Sequence, residues 1–168
     1  MNVNADHTAR WETVALAPGH PEAYALLREY YTELVARYYA RPATASEVDQ
    51  VLLEEPSDDL VAPTGHFLVA RRDGAPVGCL GVRALDRDTA ELTRMFVRAD
   101  ARGQGVAGRL IAAGERAARE VLDASALRLD TRKDLVEARA LYAKHGYREI
   151  PAYNDSQYAD HWFEKKLV

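Results

Sequence analysis

One cysteine, Cys79, stands in the whole 168-residue chain. A single thiol closes no intramolecular disulfide and makes no zinc site alone, and no other metal-ligand pattern is expected. Basic residues are not in excess: Lys and Arg number 22 against 26 Asp and Glu, a formal net charge of -4. Nucleic-acid binders usually carry a basic stripe, so no nucleic-acid partner is expected. Apolar runs fall far short of the ~20 residues of a membrane span, so no membrane partner is expected either. The opening MNVNADHTARWE has no apolar signal region. Internal repeats, low-complexity stretches and linkers are also missing. What is present is ordinary for a globular chain, with 48% hydrophobic and 29% charged residues. The expectation is a cytoplasmic protein with a single domain over residues 1–168.

The first strand is predicted at 10–15, and Pro18, Gly19 and Pro21 break it. A helix over 21–39 follows, proline being tolerated in its first turn. Leu26, Tyr30, Leu34 and Tyr38 repeat at helical spacing and predict its buried stripe; Tyr30 is also a candidate wall of a substrate pocket. A second helix is predicted at 46–55, with Ser46 and Asp49 in a capping relation. Strands at 66–71, 76–85 and 89–97, joined by Asp73-Gly74 and by 86–88, predict an antiparallel meander. A helix over 104–122 buries Leu110, Gly114, Ala117 and Val121. A strand at 126–131 should lie parallel to the one before that helix. Asp134 and Glu137 predict a capping box for a helix at 135–145, and Gly146 its C-terminal cap. Short strands at 147–150 and 161–167 close the chain. The fold class is α+β: a mixed, mostly antiparallel central sheet flanked by helices.

Residues 97–109, VRADARGQGVAGR, lie between a strand and a helix start. Gly103, Gly105 and Gly108 allow a tight turn and close approach of a ligand. The first helical turn leaves N–H groups free at the positive end of the helix dipole, which suits a pyrophosphate. Arg102 and Arg109 add positive charge. The plainer reading is a tight turn with close helix packing. GxxxxGK[ST] is absent; Gly103-Gln104-Gly105-Val106-Ala107-Gly108 has the spacing GxGxxG, but it follows an antiparallel meander, whereas the dinucleotide fingerprint opens the first βαβ unit.

Here the chain resembles the Gcn5-related N-acetyltransferases. Their [RQ]xxGx[GA] signature is matched by Arg102-Gly103-Gln104-Gly105-Val106-Ala107, with Met95-Phe96-Val97 upstream and Arg109-Leu110-Ile111 downstream. A second block follows, Leu129-Asp130-Thr131 and then ALYAKHGY at 140–147. The resemblance covers residues 67–167 and implies acetyl-CoA as cosubstrate. Its pyrophosphate would lie on residues 102–109, and its pantetheine arm would pair with Met95, Phe96 and Val97 like an added strand. The resemblance also implies direct acetyl transfer, in a ternary complex, to a primary amine. A small molecule such as an amino acid or an amine antibiotic is favoured. A protein N-terminus or lysine, or a non-catalytic acyl-CoA sensor, is the alternative. A homodimer is left open.

Such transfer needs a neutral amine, whereas an aliphatic ammonium is mostly charged at pH 7. A carboxylate can take its proton. Glu91 matches the base position of the histone-acetylating branch. Asp130, twelve residues before Tyr142, matches that of the branch acetylating ribosomal-protein N-termini; Glu91 is placed ahead. Tyr142 occupies the family's acid position near the CoA sulfur. Where some branches carry an asparagine that touches CoA, this chain has Leu135. Arg83 and Arg94 are candidates for pairing an acceptor carboxylate, and Tyr153 and His161 for lining the acceptor pocket. His145 is expected to cap a helix end, and His7, His20 and His66 have no expected role. Cys79 reads as a small buried strand residue.

Overall fold

The computed structural model describes residues 8–168, so His7 lies outside it. Alternating apolar residues build the sheet. β2 (Gly65–Arg72) and β3 (Ala75–Ala84) are joined by the two-residue turn Asp73-Gly74. Both turn residues have positive φ, 50° and 82°, the backbone that matches the twist of a tight hairpin. β1 (Trp11–Ala15) pairs with β2, and β4 (Thr89–Val97) pairs antiparallel with β3. Asp86 closes the β3–β4 turn by accepting from the amides of Asp88 and Thr89, each at 2.9 Å. After α3 (Val106–Glu120) comes β5 (Ala126–Thr131), parallel to β4 as expected of a strand–helix–strand crossover. β6 (Arg148–Ile150) and β7 (His161–Lys166) complete a seven-stranded sheet of order β1-β2-β3-β4-β5-β7-β6.

The two-residue period of the strands sorts the core onto two faces. Phe67, Val69 and Cys79 pack with Ala23, Leu26 and Leu27 of α1 (Pro21–Tyr39) on one face. Leu68, Ala70 and Leu80 meet Leu110 and Ile111 of α3 on the other, together with Tyr142 of α4 (Val136–Lys144). Burial pushes the Cys79 thiol up, so it stays protonated and inert, as a small core residue should.

Five local expectations need correction. α2 (Ala45–Glu54) is capped by Thr44 and Glu47, not by Ser46 and Asp49. Thr44 Oγ1 accepts from Glu47 N at 3.2 Å, and a Glu47 carboxylate oxygen accepts from Thr44 N at 2.9 Å. Arg41 adds a two-pronged contact, and these bonds hold the Glu47 carboxyl down to about 2. Asp49 instead reaches Arg28 at 2.6 Å. α4 has no side-chain cap, because Arg132 takes Asp134 and Arg37 takes Glu137. α1 buries Ala23, Leu26, Leu27 and Tyr31 and leaves Tyr38 57% exposed. α3 ends before Val121, which is 43% exposed. His20 turns out to have a role: its Nδ1 accepts from Glu22 N at 3.2 Å and caps α1. Gly146, with φ 89°, follows the end of α4, where the left-handed backbone favours glycine.

Candidate active site

β4 and β5 stay paired only while Thr89, Ala90 and Glu91 face Ala126, Leu127 and Arg128. Beyond Glu91 the strands part. The reason is local to β4: its register to β3 shifts between the pairs Cys79–Phe96 and Gly81–Thr93, leaving one extra residue on β4. Arg94 sits in that bulge with φ 53°, a conformation unusual for a residue with a side chain. The bulge turns the second half of β4 away from β5 and leaves its edge facing a cleft of about 1150 Å³.

The glycine-rich turn forms one end of this cleft. Gly103 and Gly105 have φ 76° and 82°, and a Cβ built on either meets nothing within 4 Å. The first bond into α3 runs from Arg109 N to Gly105 O at 3.2 Å, so the amides of Val106, Ala107 and Gly108 precede the helical ladder. Arg102 braces the turn. Its Nε donates to Val97 O at 3.0 Å and its Nη2 to Glu33 of α1 at 2.8 Å. Met95, Phe96 and Val97 line the adjoining wall. Open space before two positive-φ glycines, uncommitted amides and a free strand edge fit an extended, pyrophosphate-bearing ligand such as coenzyme A. Gln104 and Arg109 do not line the cleft. Arg72 donates to Gln104 Oε1 at 2.8 Å, and the Arg109 guanidinium lies 4.9 Å from the Trp11 ring centre. His145 reaches Gly108 instead: a Cβ there would stand 3.4 Å from the His145 ring.

At the fork of β4 and β5 the sheet presents both carboxylates on one face. Tyr153 Oη donates to Glu91 Oε2 at 2.7 Å, and Asn154 Nδ2 donates to Asp130 Oδ2 at 2.8 Å. Trp162 Nε1 holds Asn154 in turn, at 2.9 Å. Two neighbouring residues after β6 therefore grip the two candidate bases. Burial raises the Glu91 carboxyl above the ordinary range, while the Tyr153 bond pulls the other way; Asp130 pushes up and Arg83 and Arg94 pull down more weakly. A carboxylate lifted in this way is a better proton acceptor near neutral pH.

The other expected residues fall into two groups. Tyr30, Arg83, Arg94 and Tyr142 line the cleft, whereas Tyr153 and His161 do not. Tyr153 stands behind Glu91 with Arg128 5.4 Å from its ring centre, and His161 Nδ1 lies 2.7 Å from Glu149. Arg94 directs its donors to Ser57, Thr93 and the carbonyls of Glu55 and Pro56. Arg83 lies between Asp59, at 3.4 Å, and Glu91, at 3.9 Å. Tyr142 is 6% exposed, packs edge-on to Tyr147, and its phenol is pushed up by burial and so holds its proton. Leu135 also lines the cleft. Sequence reasoning missed the hold of Asn154 on Asp130. It also missed the acidic segment after α2. Among the described residues no cluster of His, Cys, Asp and Glu could hold a metal ion, and no helix is long and apolar enough to cross a membrane.

Comparison with known proteins bears on the family and the fold. The family model described as "Acetyltransferase (GNAT) family" matches residues 21–147. A protein of Azospirillum brasilense named "IAA acetyltransferase" is 41% identical over 92 residues, which cover 54% of this chain and 59% of that protein. The match thus spans about three fifths of that curated relative. A GNAT-family acetyltransferase of Staphylococcus aureus superposes with a TM-score of 0.74 at 18% identity, covering 95% of this chain and 100% of the other. The PaiA N-acetyltransferase of Thermoplasma acidophilum, solved with coenzyme A, gives 0.71 at 19% identity over 94% of this chain and 99% of the other. These two likenesses show the fold.

Proposed function

The chain belongs to the acetyltransferase (GNAT) family, and from that premise we propose that it transfers an acetyl group from acetyl-CoA to a primary amine of a small molecule, directly and with both substrates bound. The observation that carries the reading is the placement of Glu91 and Asp130 at the fork of β4 and β5, on the same cleft as the glycine turn.

Acetyl-CoA supplies an activated acetyl group as a thioester. The amides around Gly103 to Gly108 would hold its pyrophosphate, and the free edge of β4 from Leu92 to Val97 would pair with its amide-bearing arm. Glu91 takes a proton from the acceptor ammonium, directly or through one water, and so uncovers the nucleophilic lone pair. Tyr153 fixes the Glu91 carboxylate by its 2.7 Å bond, and Asn154 fixes Asp130. Tyr142 keeps a proton at its hydroxyl for the departing thiolate, since burial disfavours the phenolate.

The test is release of free CoA thiol from acetyl-CoA in the presence of a panel of primary amines, with mass spectrometry of the acetylated product. Thiol release that depends on an amine and falls in Glu91→Gln supports the reading. Tight acetyl-CoA binding without release from any amine overturns it in favour of a sensor.

A further inference from the structure

The cleft is electrically lopsided. Around the fork and the segment after α2 its lining includes Glu54, Glu55, Asp58, Asp59, Glu91 and Asp130 with Arg83 and Arg94, while Arg37, Arg102, Arg132 and Lys144 line it elsewhere together with Glu33 and Glu137. Six carboxylates face two guanidinium groups; Arg94 is hydrogen-bonded throughout, whereas Arg83 is held only by its ion pairs and keeps Nε and Nη2 without a hydrogen-bond partner. Arg94 spends its donors on the 55–57 segment and on Thr93, and Arg83 lies between Asp59 and Glu91. Acetylation of a single amine uses the pair at the fork. It has no use for Glu54, Glu55 and Asp58, which have no basic partner among the described residues.

A buried hydroxyl marks the same end. Tyr31 is 2% exposed and lines the cleft, and its hydroxyl stands beside the Glu55 carboxylate without a hydrogen-bond partner within 3.5 Å. The Arg94 guanidinium lies 5.8 Å from its ring centre and donates to the carbonyls of Glu55 and Pro56, so the hydroxyl and the acidic segment belong to one wall. A buried oxygen without a partner costs stability unless a donor reaches it, and an ammonium brings three donors.

Resting on the acetyltransferase reading, we propose that the acceptor is dicationic: a diamine or polyamine whose reacting nitrogen sits at Glu91 while a second ammonium sits against Glu55, Asp58 and the Tyr31 hydroxyl. The acidic wall also steers cations toward the cleft, an effect that weakens with ionic strength.

The experiment compares kcat/KM for 1,4-diaminobutane, 1-aminobutane and an α-amino acid by CoA release, at low and high salt. The diamine should exceed the monoamine by about tenfold, the size of one charge-assisted hydrogen bond, and the margin should shrink in salt. In a Glu55→Gln, Asp58→Asn variant the ratio should fall toward one, and Tyr31→Phe should lower it as well. Equal use of diamine and monoamine, preference for the amino acid, or a ratio unchanged in the double variant would each overturn the dicationic assignment while leaving acetyl transfer standing. Acetyl-CoA binding with no thiol release from any of the three would instead strike the acetyltransferase reading on which the assignment rests.

Discussion

Replacing Tyr153 by Phe should displace the acid limb of kcat/KM toward alkaline pH. The change removes one oxygen and keeps the ring beside Arg128. The lost contact is the 2.7 Å bond from Tyr153 Oη to Glu91 Oε2, at a carboxylate whose side chain is only 15% exposed. Burial raises the Glu91 carboxyl, and this bond is the strongest influence opposing the rise. Hydrogen bonds to charged groups contribute about 1.5–3 kcal/mol. Taking the lower end, the ionised form loses a factor of about ten relative to the protonated form, since about 1.4 kcal/mol is tenfold. A base must be ionised to work, so activity on the acid limb falls about tenfold and recovers on the alkaline plateau. The remaining charges around Glu91, namely Arg83, Arg94 and Asp130, are untouched. The assay is CoA release across pH at subsaturating amine, with acetyl-CoA affinity measured in parallel. A profile superposable on the wild type at unchanged affinity would refute the argument, because the bond would then carry no weight in the reacting state.

Gly105→Glu should abolish coenzyme A binding by calorimetry while circular dichroism stays native, because the space before Gly105 is open to protein and its loss falls on the ligand; retained affinity would remove the turn from the site. Tyr142→Phe should lower kcat by about 100-fold with little change in CoA affinity, the scale of a lost general acid, and an unchanged kcat would leave Tyr142 as core packing. Glu91→Gln should reduce activity at neutral pH more than Asp130→Asn and recover in part at alkaline pH, where more amine is neutral; the opposite order would move the base to Asp130. Gly78→Ala should cost about 1–3 kcal/mol in urea unfolding, as overpacking does, because its Cβ would stand 2.7 Å from the Phe96 carbonyl; a neutral effect would mean that β4 yields there.

The strand–helix–strand frame was legible because period-two and period-3.6 patterns alternate cleanly from residue 66 to 131. The glycine turn was legible because its chemistry is local. What escaped is non-local. The bulge at Arg94 depends on how β4 registers on β3, and an Arg with positive φ announces nothing in a sequence. Asp134 and Glu137 have the spacing of a cap, but Arg132 and Arg37 outbid the helix amides for them. By contrast, the box at Thr44 and Glu47 was written in the sequence two residues upstream of the one chosen. Tyr153 and Asn154 stand 62 and 24 residues from the carboxylates they hold, and only the return of the chain after β6 brings them there.

The three-pair seam between β4 and β5 also makes the sheet mechanically two bodies. One is the ladder β1-β2-β3-β4, long and double-sided; the other is the smaller β5-β7-β6. Backbone amides within each ladder share the protection of that ladder, whereas the amides of β4 past the seam that point away from β3 gain a partner only from what enters the cleft. Hydrogen exchange should therefore be graded across a single sheet, with its softest line running down the cleft floor. A fold divided in this way can vary the part of its acceptor wall at 151–160 without disturbing the glycine turn, because that segment runs between β6 and β7 whereas the turn follows β4.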